Sequence, residues 1–187
     1  MGRHNYGIYS LSSKGEGHPI LISFRGLDLY APFRDGGGYP KGFLELAYRE
    51  MGVEDPDKVL HVCSGSLATG ITVDIRLATK PLVVADGQKL PFQSNSFRWI
   101  LIDPPYTKEY AKNLYGTEYP KPGRLLGEAA RVLQENGKVG LLHFLIPMFH
   151  QPLKMLGVYG ITCGLGQNIR AFSVFQKRSS ARWRNGR

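Results

Sequence analysis

The turn Asp103-Pro104-Pro105-Tyr106 closes an apolar run, Trp99 to Ile102, within the stretch WILIDPPYTKEYAKNLYG. Neither proline donates a backbone hydrogen bond, and each biases its predecessor away from helix. The chain thus leaves a buried strand stiffly and sets a carboxylate and an aromatic ring at its end. The Asp103 carboxylate and the Pro104 carbonyl are two rigid acceptors, suited to the two N–H bonds of a planar amine or amide. Tyr106 offers a ring on which such a group stacks. The nitrogen of such a group is a poor nucleophile because its lone pair is delocalised. Acceptors facing its N–H bonds localise that pair and gain strength as charge develops on nitrogen. An ordinary strand end with Tyr106 packed on the core is the plain alternative.

The surrounding elements follow from pattern. Short apolar runs predict strands at KVLHVCSG (58–65), GITVDI (70–75), LVVAD (82–86), FRWILID (97–103) and KVGLLHFLI (138–146, stopped by Pro147). Phe43, Leu44, Ala47, Tyr48 and Met51 recur at helical spacing and predict a helix after Pro40, with Gly52 as its stop. A second helix is expected near 107–114. A third runs from about Gly123 to Gln134, with Leu125, Leu126, Ala129, Ala130 and Leu133 on one face and ENG (135–137) closing it. GVYGITCG (157–164) and IRAFSVFQK (169–177) read as an antiparallel hairpin. The sum is an α/β sheet, mostly parallel, with an antiparallel hairpin added late. In such sheets ligands bind at the carboxyl ends of the strands. Asp74, Asp86 and Asp103 end three of them in succession, a polar rim around one crevice.

Bulk properties narrow the function. The 187 residues suit one domain. Residues 1–40 read as an irregular segment packing on a domain of residues 41–177, with room for one short strand in PILISFRGLDLY (19–30). Cys63 and Cys163 form no CxxC pair, so a disulfide framework or a cysteine-rich metal site is not expected. His61 and Cys63 would share one strand face and read as core rather than metal ligands. No metal site is predicted. No apolar run spans a membrane and MGRHNYGIYS has no signal-peptide core, so a cytoplasmic protein is expected. The net charge is +9, part of it in the basic tail of residues 178–187, which holds Arg182, Trp183 and Arg184 and no acid. Such a chain suits a polyanion, with Arg182 and Arg184 as phosphate contacts. A solvated terminus is the alternative.

Over about residues 40–177 these motifs resemble class I S-adenosylmethionine (SAM) dependent methyltransferases, specifically the DPPY amino-methyltransferases that act on N6 of adenine or N4 of cytosine. VLHVCSGS is similar to the family's first motif, VDI to the second, VADGQKLPF to the third and DPPY to the catalytic fourth. GEAARVLQENGKVGLL is similar to the helix, turn and strand that follow. The resemblance implies a Rossmann-like sheet, SAM as cofactor, and methyl transfer to a nucleobase amino nitrogen, adenine N6 in DNA foremost. It implies a cofactor set of His61, Cys63, Ser64, Gly65 and Ser66 by the methionine end, Asp74 and Ile75 at the ribose, and Asp86, Gly87 and Leu90 at the adenine. It makes Asp103, Pro104, Pro105 and Tyr106 catalytic. RNA, a protein glutamine or a small amine stays open as substrate, and so does a SAM- or nucleic-acid-binding protein without transferase activity. The charge favours nucleic acid over a small molecule.

The chain also departs from that family. His61 stands where an acid is usual. Only SLATG separates Gly65 from Ile71, and only IRLATKP separates Asp74 from Leu82. A parallel crossover normally takes a dozen or more residues, usually a helix. A five-residue strand is about 17 Å long, and five or six extended residues reach roughly 18–20 Å, so these links must be taut. Two crossover helices are therefore predicted missing. The N-terminal 50 residues or a second copy of the protein, as a homodimer, would cover that sheet face. There is also no room for a target-recognition region beyond the N-terminal segment, the tail and the loop 107–122. In that loop Tyr110 and Tyr115 are interleaved with Lys108 and Lys112, a pattern suited to bases and phosphates. A separate partner supplying specificity is the other way to fill that need.

Overall fold

The computed structural model describes residues 8–11, 20–26, 39–40, 42–148, 151–162 and 168–179. Its strands are β1 (Ile8–Leu11), β2 (Ile20–Gly26), β3 (Val59–Val62), β4 (Ile71–Asp74), β5 (Val83–Val84), β6 (Phe97–Ile102), β7 (Leu133–His143), β8 (Leu153–Thr162) and β9 (Arg170–Lys177). Its helices are α1 (Phe43–Met51), α2 (Lys108–Tyr115) and α3 (Pro122–Val132). All nine strands join one sheet in the order β1-β2-β8-β9-β7-β6-β3-β4-β5. The block β5-β4-β3-β6-β7 is parallel, and β9 runs antiparallel between β7 and β8. The predicted mostly parallel α/β sheet with its late hairpin is thus the observed one.

The chain builds outward from β3 through β4 to β5, then returns to the other side of β3 as β6. That reversal is the topological switch point, where a crevice opens at the carboxyl ends of β3 and β6. Alternation along β6 feeds both faces of the sheet. Ile100 and Ile102 join Leu60, Val62, Val73, Val139 and Leu141 under α3, which contributes Leu125, Leu126, Ala129 and Val132. Trp99 and Leu101 join Val59, Leu142, Phe172 and Val174 under α1, which contributes Phe43, Leu46, Ala47 and Met51.

The two crossover helices are absent. The β3–β4 link has no helix, and the β4–β5 link has one 3₁₀ turn, Leu77–Thr79. The short link holds because Gly70 enters β4 at φ 69°, where a Cβ would lie 2.7 Å from the Val59 carbonyl and 2.8 Å from the His61 ring. On this face α1, with Tyr39 and Tyr48, covers β3. Farther out Ile75, Leu77, Leu82 and Val84 stay exposed.

Three details differ from the sequence reading. The segment read as irregular supplies β1 and β2, an antiparallel pair whose β2 runs parallel to β8 from Leu21↔Gly157 to Gly26↔Thr162. Without it β8 would be an open edge, which strands tend to fill. The motif ENG does not stop a helix. α3 ends at Val132, and Glu135-Asn136-Gly137 forms a bulge in β7, with Phe97 paired to Leu133 and Trp99 to Lys138. Asn136 takes the left-handed φ of 61° that this bulge needs. His61 and Cys63 do not share a face. Cys63 adopts φ 56°, which breaks the two-residue alternation as the chain leaves β3. Among the described residues no helix is long and apolar enough to cross a membrane, and no cluster of His, Cys, Asp and Glu is arranged to hold a metal ion.

Candidate active site

Four loops at the carboxyl edge of the sheet line the crevice: Cys63, Ser64 and Gly65 after β3, Asp74 to Arg76 at the end of β4, Ala85 to Gln88 after β5, and Asp103 with Pro105 after β6. Tyr39 and the segment from Tyr115 to Pro120, at the end of α2, close it.

Asp74 organises the first two loops. Its Oδ2 accepts the Gly65 N–H at 2.9 Å, and its Oδ1 accepts the Arg76 backbone N–H at 2.9 Å and Nε at 3.3 Å. The Arg76 guanidinium then lies 4.7 Å from the Tyr115 ring centroid, joining the β4 loop to α2. Ser64 is held by its N–H to the Val73 carbonyl at 3.0 Å, while its buried Oγ has no protein partner. In the third loop Asp86 Oδ1 accepts the Gln88 N–H at 2.8 Å. Gly87 is required there, because a Cβ would lie 2.5 Å from Val62 Cγ1 and 3.0 Å from Leu125 Cδ2.

The DPPY turn is tied to β3 by the Asp103 N–H, which donates to the Val62 carbonyl at 3.2 Å. The Tyr106 hydroxyl donates to Asp103 Oδ1 at 2.7 Å. Burial lifts the Asp103 carboxyl to about 7, against the Tyr106 hydrogen bond and the Arg170 charge, which both lower it. Burial, reinforced by the Asp103 charge, pushes the Tyr106 phenol far up, so it stays a donor. Its ring packs on Phe144 and His143, with Arg170 over it at 5.4 Å. Cys63 is a free thiol that burial, with Asp74, Asp103 and Asp86 around it, pushes up, so it supplies no thiolate nucleophile.

The crevice therefore brings together Cys63, Ser64, Gly65, Asp74, Ile75, Asp86, Gly87, Asp103, Pro105 and Tyr115 of the predicted site residues. Others lie elsewhere. His61 is buried on the α1 face, its Nδ1 3.3 Å from the Tyr39 hydroxyl and its Nε2 3.1 Å from the Tyr48 hydroxyl. Burial drops it to about 4, so it is a neutral core histidine. Leu90 is buried in the α3 core, where its N–H donates to Glu128 Oε1 at 2.8 Å. Pro104 is buried and Tyr106 is half-buried against the α1-side core, neither of them in the lining, and Ser66 is exposed outside it. Lys108, Tyr110 and Lys112 stand on the outside of α2. Arg182 and Arg184 lie outside the described residues. Tyr39, Gln88, Thr117, Glu118 and Pro120 line the crevice without having been singled out. Gln88 follows an acid-ended strand and was legible on that ground, whereas Tyr39 reaches the site only through the fold.

The lining suits SAM. Ser64 Oγ is a buried polar group without a partner at the Gly65 turn. Asp74 uses three of about four lone-pair sites, which leaves one for a ribose hydroxyl.

No protein-family model matches the chain, and no curated protein matches it. Solved structures do. TrmN from Thermus thermophilus superposes at TM-score 0.52 and 19% identity over 71% of this chain, which spans only 47% of that protein's length. A putative methyltransferase in complex with the Haloferax volcanii Trm112 methyltransferase activator superposes at 0.53 and 12% identity over 73% of this chain and 89% of its own. Burkholderia thailandensis 1,6-didemethyltoxoflavin-N1-methyltransferase, solved with S-adenosylhomocysteine, superposes at 0.50 and 11% identity, covering 74% of this chain and 78% of its own. With its switch-point crevice and C-terminal antiparallel hairpin, the chain has the Rossmann-like fold found in these methyltransferases.

Proposed function

We propose that this protein transfers a methyl group from SAM to an exocyclic amino nitrogen of a nucleobase, N6 of adenine in DNA foremost. The observation that carries the reading is Asp103, fixed by the Tyr106 hydroxyl, in a crevice whose other wall is the Ser64–Gly65–Asp74 constellation. Ser64 and Gly65 would hold the methionine end of SAM, Asp74 the ribose, and Asp86 with Gly87 the adenine. Bound there, SAM supplies an electrophilic methyl group.

The chain's own residues do the rest. The Asp103 carboxylate accepts one N–H of the target amine and the Pro104 carbonyl the other, which localises the nitrogen lone pair. As the nitrogen gains a methyl group it loses a proton, and a carboxyl near 7 is matched to take it. Tyr106 holds Asp103 Oδ1 in place from the α1-side core, where its ring packs on Phe144. The Haloferax complex, in which a putative methyltransferase is bound to a methyltransferase activator, supports a separate partner for this chain as well.

The test is transfer of labelled methyl from SAM to duplex DNA, single-stranded DNA, RNA and a protein extract, with wild type beside Asp103→Ala. Label in nucleic acid with wild type only is the expected result. Label in protein alone overturns the nucleobase reading.

A further inference from the structure

Because β9 runs antiparallel to β7, its first residue comes to the edge of the sheet where the parallel strands end. That residue is Arg170, and its neighbour Ala171 pairs with His143 at the end of β7. The Arg170 guanidinium carbon lies 5.4 Å from the Tyr106 ring centroid, within reach of a cation–π contact. The hydroxyl of that same ring donates to Asp103 Oδ1 at 2.7 Å. A cation, a phenol and a carboxylate thus stand in series, from the start of β9 to the turn that leaves β6. Arg170 itself does not line the crevice.

A cation on the face of a phenol ring draws electron density from it and makes the hydroxyl a better donor. A better donor favours the ionised form of the carboxyl that accepts from it. The other groups around the pair supply no positive charge. Burial pushes the Cys63 thiol and the Tyr39 and Tyr115 phenols up, so all three stay neutral. His143 lies 5.6 Å from the Tyr106 ring; its Nδ1 accepts the Leu145 N–H at 3.2 Å, and burial lowers its pKa, so it is neutral too. Arg76 is held by Asp74. Among the described residues, Arg170 is the cation whose charge favours ionisation of both Asp103 and Tyr106.

Resting on the methyl-transfer reading, we propose that Arg170 is a positioning residue of the site: seated on the Tyr106 ring, it keeps Asp103 a hydrogen-bonded carboxylate, the form that accepts an N–H of the target amine. It acts from outside the crevice, through Tyr106 and by its charge, and touches neither SAM nor the target. The antiparallel hairpin thereby has a part in the chemistry as well as in the sheet, because it delivers a cation to a turn that the parallel strands build.

The experiment follows the Asp103 carboxyl by carbon-13 NMR of the full chain labelled in aspartate, with Asp103→Asn identifying the signal. Wild type, Arg170→Gln and Arg170→Lys are titrated with pH, and SAM binding serves as the check on folding. Arg170→Met, which keeps the packing of the stem, is a second neutral variant read in the same way. The Asp103 midpoint should rise above that of wild type in the neutral variants and stay near it in Arg170→Lys. In pH profiles of methyl transfer, kcat of the neutral variants should fall about three- to tenfold at pH 6 and little at pH 9, with KM and SAM affinity kept. A midpoint that stays put in a folded neutral variant, or that rises equally in Arg170→Lys, overturns the proposal. So does a loss confined to KM, which would make Arg170 a substrate contact. Each of these leaves the methyl-transfer reading standing. If the midpoint moves as expected while nothing accepts methyl from SAM, Arg170 does set the charge of Asp103 and the methyl-transfer reading falls.

Discussion

The Tyr106 hydroxyl donates to Asp103 Oδ1 at 2.7 Å, so the last residue of the DPPY turn holds the first. The pair sits where β6 ends beside β3, anchored by the Asp103 N–H on the Val62 carbonyl. The turn is thereby fixed on three sides: by its prolines, by β3 and by its own tyrosine.

This coupling gives a pH dependence. Asp103 accepts an N–H as a carboxylate, and burial sets its carboxyl at about 7, so transfer should rise with pH through that value. Tyr106→Phe removes a hydrogen bond that lowers the carboxyl, so the midpoint should move higher. kcat at pH 7 should fall by about three- to tenfold while SAM affinity holds. A pH–rate profile of both proteins checks it, and an unmoved midpoint contradicts the coupling.

The same shift has a stability consequence. A carboxyl at about 7 in the fold, against ~3.9 in the unfolded chain, means the unfolded state sheds its proton first as pH rises. Stability is therefore lost between about pH 4 and 7. Asp103→Asn, which carries no charge, should be more stable than wild type at pH 8 by on the order of 1–3 kcal/mol and gain little at pH 4. Thermal melts at the two pH values measure the difference.

Cofactor binding and target activation should separate by residue. Asp74→Ala removes the anchor of the Gly65 N–H and the Arg76 backbone at once. It should weaken SAM at least about tenfold, the loss of one or two charge-assisted hydrogen bonds. Asp103→Ala should abolish transfer with SAM affinity kept. Isothermal titration of the two variants decides it, and lost SAM binding in Asp103→Ala contradicts its assigned role.

Gly87→Ala places a Cβ 2.5 Å from Val62 Cγ1, in the packed face under α3. The loop carrying Asp86 must then shift. Overpacking of this kind costs about 1–3 kcal/mol. A lowered Tm together with weakened SAM binding is expected, and a variant indistinguishable from wild type would place the loop differently.

The outer edge of the sheet, where Leu77 and Leu82 are 75% and 71% exposed, is the part of the stripped face that α1 leaves uncovered. A homodimer through it predicts a dimeric mass by light scattering at micromolar protein and a monomer for Leu82→Lys. A monomeric wild type rules it out.

Local pattern alone determined much of this molecule. Apolar runs located β3 to β6, three of them ending in acids, helical spacing located α1 and α3, and two prolines after Asp103 marked the turn that leaves β6. Counting link residues was enough to remove two helices, because chain reach is fixed by covalent geometry. The tertiary structure decided which way side chains turn once the chain leaves a regular element. Left-handed backbone at Cys63 sends it into the crevice, while His61, two residues earlier, stays buried between Tyr39 and Tyr48. Leu90 went to the core for the same reason: its N–H found Glu128, 38 residues away in sequence. Strand β2 pairs with β8, and Arg76 lies over Tyr115. Contacts across such separations depend on sheet order and packing, and no local spacing carries them.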